Sequence, residues 1–271
     1  MSKTILITGC SSGIGRMTAK YFQDKGWNIV ATVRKFSDDD AELTALGNVL
    51  VTELDVTKED TIKTTIEQAV AKFGQIDVLL NNAGYGSYGI LESTPEHKIR
   101  MQFEVNVIGL LLVTKNIIPV MRKQGSGMII NISSMGGKIS FPLGTLYHGS
   151  KFAVEGLSEG LSYELSEIGI QVKMIEPGVI NTNFSTSSFD LNIDPSITEY
   201  NDFTNKVLKS FHTISGGSEP ILVAETIYKA ATDGTDQLRY IAGPDAEQII
   251  AARKQMNDPE YLALMRSRFG L

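Results

Sequence analysis

The sequence predicts a doubly wound α/β fold, a mostly parallel sheet with helices on both faces. Three observations predict it. Short β-branched runs alternate with longer helical patterns, the central runs are continuously apolar, and a glycine-rich turn joins the first run to the first helical pattern. The 271 residues, 42% apolar and 21% charged, contain no stretch of Gly, Ser and Pro or of like charge long enough to be a linker. A single domain is expected.

In chain order, strands are expected at Thr4–Thr8, Asn28–Val33, Val49–Leu54, Ile76–Asn81, Met128–Ser133, Gln171–Ile175 and Arg239–Ile241. Val78-Leu79-Leu80 and Met128-Ile129-Ile130 show no polar alternation, the pattern of strands covered on both faces. Helical periodicity fills the intervals at Gly13–Lys25, Lys58–Phe73, Pro95–Lys123, Tyr147–Glu167 and Pro220–Thr232, with Pro119 a candidate kink in the third. The run Asn181–Glu219, rich in Ser, Asn, Thr and Asp, breaks the alternation and reads as a partly helical lid. From about 245 to 271 a helix-like extension carries Met256, Tyr261, Leu262, Leu264 and Met265, suited to cover the site or a neighbouring subunit.

Composition narrows the function. The net charge is −6 and basic residues are scattered, which argues against a nucleic-acid or anionic-membrane partner. Cys10 is the only cysteine, and His97, His148 and His212 show no ligand spacing, so neither a disulfide nor a metal site is expected. The chain enters its first strand without a signal-peptide pattern. The apolar stretch Val105–Met121 is interrupted by Thr114, Lys115 and Asn116 and reads as a buried helix. A cytoplasmic protein is expected.

Thr8-Gly9-Cys10-Ser11-Ser12-Gly13-Ile14-Gly15 lies between the first strand and the first helix. Glycines there let the backbone turn tightly and approach a pyrophosphate, while the helix N-terminus offers free N–H groups. A glycine turn without a ligand is the alternative; a strand before and a helix after favour the nucleotide. A Rossmann-type site for NAD ends its second strand near an acid that holds the ribose hydroxyls. Here Val33 is followed instead by Arg34 and Lys35, a planar fork and a point charge suited to an extra phosphate. That favours NADP(H). The alternative is an exposed cation pair whose field Asp38-Asp39-Asp40 weakens.

The three-residue spacing from Gly9 to Gly13, with Asp55-Val56, Asn81-Asn82-Ala83-Gly84, Ser134 ahead of Tyr147-x-x-x-Lys151, and Pro177-Gly178, resembles the short-chain dehydrogenase/reductase family in its single-domain branch. The match runs from residue 3 to about 182 and more loosely to about 245. Cys-Ser-Ser in the glycine loop and Ala-Thr-Val-Arg at the second strand are most similar to hydroxysteroid- and retinol-dehydrogenase-like members. The resemblance implies that Asp55 and Val56 flank the adenine, and that Asn82, Ala83 and Gly84 line the cofactor cleft near the ribose. Pro177 and Gly178 would lead to Thr182, the residue that holds the nicotinamide carboxamide. It also implies a catalytic tetrad of Asn106, Ser134, Tyr147 and Lys151, and pairing of the two long helices into homodimers or homotetramers.

The tetrad makes chemical sense. Tyr147 and Lys151 are four apart and share a helix face, and an ammonium nearby favours the phenolate, lowering a pKa that is ordinarily about 10. By the resemblance, Lys151 also bonds the nicotinamide ribose. Ser134 follows a strand at the sheet's C-terminal edge, where it would orient a substrate carbonyl and stabilise developing oxyanion character. Asn106 would help hold a water that links Lys151 to solvent. Each residue has a plainer reading: Tyr147 and Lys151 as a surface pair, Ser133 and Ser134 as turn caps, Asn106 bonding a local carbonyl. Concurrence in chain order favours the catalytic reading.

Met135, Ile139, Phe141, Leu143, Phe184, Phe189 and Phe203 suit a bulky, largely apolar alcohol or ketone, although packing of the lid onto the body explains several equally well. Lys138 more readily faces solvent than a substrate anion. Hydride transfer between NADP(H) and a carbonyl or alcohol is therefore the expected function. An epimerase or dehydratase that recycles its nicotinamide is disfavoured by the glycine spacing and the lack of a sizeable C-terminal domain. A non-catalytic NADP-binding sensor has no need of Ser134, Tyr147 and Lys151.

Overall fold

The computed structural model describes residues 2–182, 188–213 and 217–271. Seven strands form the main sheet: β1 (Thr4–Ile7), β2 (Asn28–Val33), β3 (Val49–Glu53), β4 (Val78–Asn81), β6 (Gly127–Ile132), β7 (Ile170–Pro177) and β9 (Arg239–Ala242). They lie in the order β3-β2-β1-β4-β6-β7-β9 with every pairing parallel. Each strand expected from the sequence is present to within two residues at either end. A separate parallel pair, β5 (Gly86–Gly89) with β8 (Phe189–Asn192), was not expected. Two of the four residues of β5 are glycines, which carry no strand signal.

Strand side chains divide by parity, as the period of two requires. Ile5, Ile7, Val78 and Leu80 face one layer, where Ala19 and Phe22 of α1 (Gly13–Asp24) meet Val223, Ile227 and Ala230 of α8 (Pro220–Thr232). Leu6, Val30, Leu79 and Ile129 face the other. There they meet α3 (Glu59–Phe73), α5 (Leu110–Gln124) and α6 (Thr145–Ser166) through Ile62, Ile66, Val113, Ile117, Met121 and Leu165. The doubly wound architecture follows from burying both faces of a parallel sheet.

The long helix expected over Pro95–Lys123 is three pieces: α4 (Glu96–Phe103), a π-helical turn at Glu104–Gly109, and α5. Pro119 lies inside α5, and the departure from α geometry falls instead around Asn106. The stretch Glu96–Gln124 is long and apolar enough to span a membrane by length and composition alone, yet Val113, Ile117 and Met121 are sealed against the sheet. It packs as a core helix.

A third cluster covers the C-terminal end of the sheet. Met135, Ile139 and Leu143, from the loop after β6, pack with Val207 of α7 (Asn201–Thr213) and with Ile249 and Ile250 of α9 (Pro244–Gln255). Tyr261 and Met265 of α10 (Asp258–Arg268), with Phe269, complete it. The C-terminal extension is two helices parted at Asn257. The Asn257 side chain accepts from Glu260 N, and the Glu260 carboxylate accepts from Asn257 N, each at 3.0 Å. Met135, Ile139 and Leu143 are therefore buried in a packing role, the alternative the sequence left open, and Phe141 and Phe203 lie partly buried against the same cluster. Phe184 and the side chain of His212 fall outside the described residues.

Candidate active site

The sheet order changes direction between β1 and β4, and the turns after these strands open a crevice at the strand C-termini. The glycine loop after β1 is shaped by contacts that admit no side chain. Gly9 and Gly13 adopt φ of +76° and +57°, which glycine takes without strain. A Cβ on Gly15 would run into the Gly9 carbonyl and come within 2.5 Å of the Asn82 amide nitrogen. The N-cap of α1, Ser12, makes no side-chain cap, and its first turn holds no acid. The N–H groups of Gly13, Ile14 and Gly15 thus start the helix without a competing side-chain acceptor, a cradle that fits a diphosphate. Thr182 stands across from it, its Cβ and Cγ2 each 3.4 Å from where a Gly13 side chain would begin.

Asn82 and Ala83 after β4 hold this loop in place. The Asn82 side chain donates to the carbonyls of Thr8 (2.8 Å) and Gly9 (2.9 Å), and the N–H groups of Asn82 and Ala83 both donate to the Thr8 hydroxyl. Gly84 gives way to Asn106, whose Oδ1 would lie 3.2 Å from a Cβ there. Asp55 accepts from the Thr57 N–H and hydroxyl. Burial alone would raise its carboxyl, but these bonds and the charges of Lys58 and Arg34 more than offset that and hold it below the ordinary value. The Val56 side chain is in the core against Gly109. Beyond β7, which ends at Pro177, Gly178 packs on Asp245.

Arg34 and Lys35 are exposed where β2 ends. Of the acids that follow, Asp40 is turned inward. Asp40 is buried, accepting from the Ser37 N–H and hydroxyl, and lies 3.7 Å from Arg16. Its charge is balanced by Arg16, so it does not cancel the field of Arg34 to the extent the Asp38-Asp39-Asp40 run implies. Arg16, which the sequence reading passed over, also donates to the carbonyls of Ser11 (2.9 Å) and Asp39 and so ties the glycine loop to the segment after β2. Its signal was its place directly after Gly15.

The four proposed catalytic residues converge at the C-terminal edges of β4 and β6. Ser134 accepts from Gly136 N at 3.0 Å, leaving its own proton to donate, and its hydroxyl is close enough to the Tyr147 phenol to favour the phenolate. Lys151 lies one helical turn along α6 with Nζ 5.9 Å from the Tyr147 ring centroid, donating to the Ile132 carbonyl at 2.8 Å. Burial lowers the Lys151 ammonium to about 8, against an opposing pull from Glu155. Burial also raises the Tyr147 phenol, and the Ser134 hydroxyl offsets part of this. The lowering expected from Lys151 does not emerge in the protein alone, because its ammonium is itself desolvated and directed to Ile132.

Asn106, inside the π turn, donates to the Tyr85 carbonyl (2.9 Å) and the Ser150 hydroxyl (3.1 Å) and accepts from Tyr85 N (3.0 Å). Ser150 in turn donates to the Tyr147 carbonyl at 2.7 Å. The Asn106 side chain is thereby committed to holding the turn after β4 onto α6. A π turn at such a point is common near functional sites. His148 is neutral: burial lowers it to about 4, Nε2 accepts from Phe141 N, and Nδ1 faces the Gly136 carbonyl at 3.0 Å. It staples the Ser134 loop to α6 and is no base. Among the described residues, no cluster of His, Cys, Asp or Glu could hold a metal.

A family model described as short chain dehydrogenase matches residues 3–192. The chain belongs to the short-chain dehydrogenase/reductase family. It is 45% identical to an uncharacterized oxidoreductase of Schizosaccharomyces pombe over 84% of this chain and 96% of that one. It is 35% identical to a 3-ketodihydrosphingosine reductase of Bacteroides thetaiotaomicron over 92% and 91%. Among solved structures it is similar to a short-chain dehydrogenase from Streptomyces avermitilis (TM-score 0.83, 31% identity, 100% and 99% covered). It is also similar to ElxO with NADP bound (TM-score 0.73, 29% identity, 89% and 98% covered). The protein is an oxidoreductase of this family with a Rossmann-like fold.

Two further residues of this short-chain dehydrogenase reach the site, neither of them singled out from its sequence. Tyr88 of β5 stacks on Tyr147 with centroids 5.3 Å apart and planes at 27°. Glu155, a turn beyond Lys151, is buried against Gly137 and bonded to Arg239 of β9 at 2.9 Å. Tyr88 meets the site through a partner distant in sequence, which no local pattern reveals, whereas Glu155 meets it through Lys151, and that four-residue spacing on one helix could have found it.

Proposed function

We propose that the protein transfers a hydride between NADP(H) and a bulky, largely apolar carbonyl or alcohol, with Tyr147 as proton donor and acceptor. The observation that carries this is the placing of the Lys151 ammonium 5.9 Å from the Tyr147 ring centroid, one helical turn away and beside the Ser134 loop, together with a glycine cradle fitted to a diphosphate. When bound, NADPH supplies the hydride that adds to the carbonyl carbon. Ser134 orients the carbonyl oxygen, and Tyr147 gives that oxygen its proton, becoming a phenolate. The buried ammonium of Lys151 stabilises the phenolate, and its remaining protons would hold the cofactor's ribose hydroxyls, keeping the proton and hydride sources in register. Alcohol oxidation runs the same steps backward.

Arg34 and Lys35 support NADP(H) over NAD(H), as does the NADP carried by ElxO. The reductase acting on 3-ketodihydrosphingosine supports a ketone on a large apolar frame. Asp55, Asn82, Ala83, Gly178 and Thr182 are assigned to the cofactor cleft on the same reading, with Asn106 positioning the turn that borders it. We further propose a cytoplasmic homodimer or homotetramer formed through α4, α5 and α6, where Met101, Ile108, Phe152 and Tyr163 are exposed. The deciding experiment is a panel of carbonyls and alcohols assayed with both cofactors, repeated with Tyr147→Phe. NADPH oxidation that disappears in the variant while NADPH still binds is the expected result; equal turnover in the variant would overturn the role of Tyr147.

A further inference from the structure

The β5–β8 pair stands apart from the main sheet and is built around one side chain. Phe189 stacks on Tyr88 at 4.8 Å and 25°, and Tyr88 stacks on Tyr147 at 5.3 Å and 27°. The His148 ring meets Tyr88 edge-on at 6.3 Å, and a Cβ on Gly144 would lie 3.2 Å from the Tyr88 ring. Tyr88 is therefore held between a ring on β8 and the candidate proton donor on α6, with glycine where any side chain would intrude.

The backbone around it is fixed with equal care. Ser87 N donates to the Gln102 side chain at 2.5 Å and Gly89 N to the Leu143 carbonyl at 2.7 Å. Asn192 donates to the Ser87 hydroxyl at 2.9 Å and the Tyr88 carbonyl at 3.2 Å. Gly89 adopts φ +137°, and a side chain there would strike the Asn192 carbonyl. These bonds recruit α4, the Ser134 loop and β8 to hold one ring. None of them lies on the proton path through Ser134, Tyr147 and Lys151.

We propose that Tyr88 is a positioning residue for Tyr147: its ring, backed by Phe189, fixes the plane of the catalytic phenol and keeps water from one face of it. The proposal rests on the reading of Tyr147 as proton donor. Stacked and edge-to-face rings are favourable only over a narrow range of offsets, so a sandwiched ring restricts the rotation of its neighbour. A phenol shielded on one face is harder to ionise, which agrees with the upward push that burial gives Tyr147. Tyr88 itself is held well above its ordinary value by burial and by the neighbouring Tyr147, so it stays neutral while Tyr147 works. Among the described residues, Ser134, the ammonium of Lys151 and the neutral His148 also face Tyr147.

The test compares Tyr88→Phe, Tyr88→Leu and Tyr88→Ala in the full chain, with folding and NADPH affinity measured for each. Phenolate formation is followed by ultraviolet difference absorbance against pH, and the Tyr147→Phe protein supplies the baseline that isolates Tyr147. Tyr88→Phe keeps the ring and should match the parent. Tyr88→Leu and Tyr88→Ala should titrate Tyr147 at lower pH. With the best panel carbonyl, they should lose about tenfold or more in kcat with little change in NADPH affinity. Leucine fills the space, so it remains informative if the alanine protein does not fold. An unchanged Tyr147 titration and kcat in Tyr88→Leu would overturn the inference. Turnover that survives Tyr147→Phe would instead overturn the reading beneath it.

Discussion

The side-chain amide of Asn82 donates to the Gly9 carbonyl at 2.9 Å, so the turn after β4 sets the height of the glycine loop after β1. Its second bond, to Thr8, closes the link between the two strands that flank the crevice. Removing the amide leaves two carbonyls without their donor in a half-buried setting. Asn82→Ala should cost about 1–3 kcal/mol of stability and weaken NADPH binding by roughly tenfold. A fluorescence titration with NADPH, alongside thermal unfolding, checks both. Unchanged affinity would separate loop height from cofactor binding.

Arg34 tests the cofactor assignment. A charge-assisted bond to a phosphate is worth about 1.5–3 kcal/mol. Arg34→Ala should therefore raise the NADPH dissociation constant by roughly 10- to 100-fold and leave that for NADH within about twofold. Parallel binding isotherms for the two cofactors decide it, and equal losses would count against NADP(H) preference.

Lys151 illustrates a conflict between stability and chemistry. Burial lowers its ammonium to about 8 from an ordinary 10.5, so at pH 7 the folded chain holds a charge it would rather shed. Between pH 8 and 10.5 the unfolded chain keeps a proton that the folded chain has released, and stability rises with pH across that window. Lys151→Met removes the buried charge and loses the bond to the Ile132 carbonyl. The variant should be inactive yet about 1–2 kcal/mol more stable at pH 7, the gain fading toward pH 10.5. Melting curves of parent and variant at pH 7 and pH 10 check the sign.

The layout of the sheet was legible because strands covered on both faces must be continuously apolar, as Val78-Leu79-Leu80 and Met128-Ile129-Ile130 are. Ser134, Tyr147, Lys151 and the glycine loop were legible because their spacing reflects local geometry, a strand end and one turn of helix. The π turn at Asn106 was not, since it depends on Tyr85 and Ser150, 21 and 44 residues away in the chain. Tyr88 was hidden for the same reason, its partners being Tyr147 and Phe189. The apolar residues weighed between substrate lining and packing show the opposite case. Met135, Ile139 and Leu143 are of the right type for a pocket, but only the positions of α9 and α10 reveal that they are core.

Glu176 offers a pH test away from the crevice. It is buried near the end of β7 beside Glu155, with Oε1 3.6 Å from Arg239 and, among the described residues, no hydrogen-bond donor to that oxygen. Burial and then the charge of Glu155 raise its carboxyl to about 7, partly offset by Lys138 and Arg239. A raised acid stabilises the fold below its ordinary value of 4.5, and that contribution is lost as pH climbs through 7. Glu176→Gln, neutral throughout, should match the parent near pH 4.5 and exceed it by about 1–2 kcal/mol at pH 8. Unfolding midpoints at the two pH values measure this; a gain at pH 4.5 that vanishes at pH 8 would reverse the argument.

Three of the side chains on which the C-terminal helices rest come from the same loop that carries Ser134. A graft of the final two helices from another family member would therefore need Met135, Ile139 and Leu143 exchanged with it, or the seam would be left with gaps or clashes. The glycine loop and the Asn82 turn lie outside that seam, whereas Gly178 packs on Asp245 of α9 and so belongs to its border. Exchange of this end of the molecule is thus tied to the serine loop and to the Gly178 turn, while the glycine loop after β1 is the part left untouched by it.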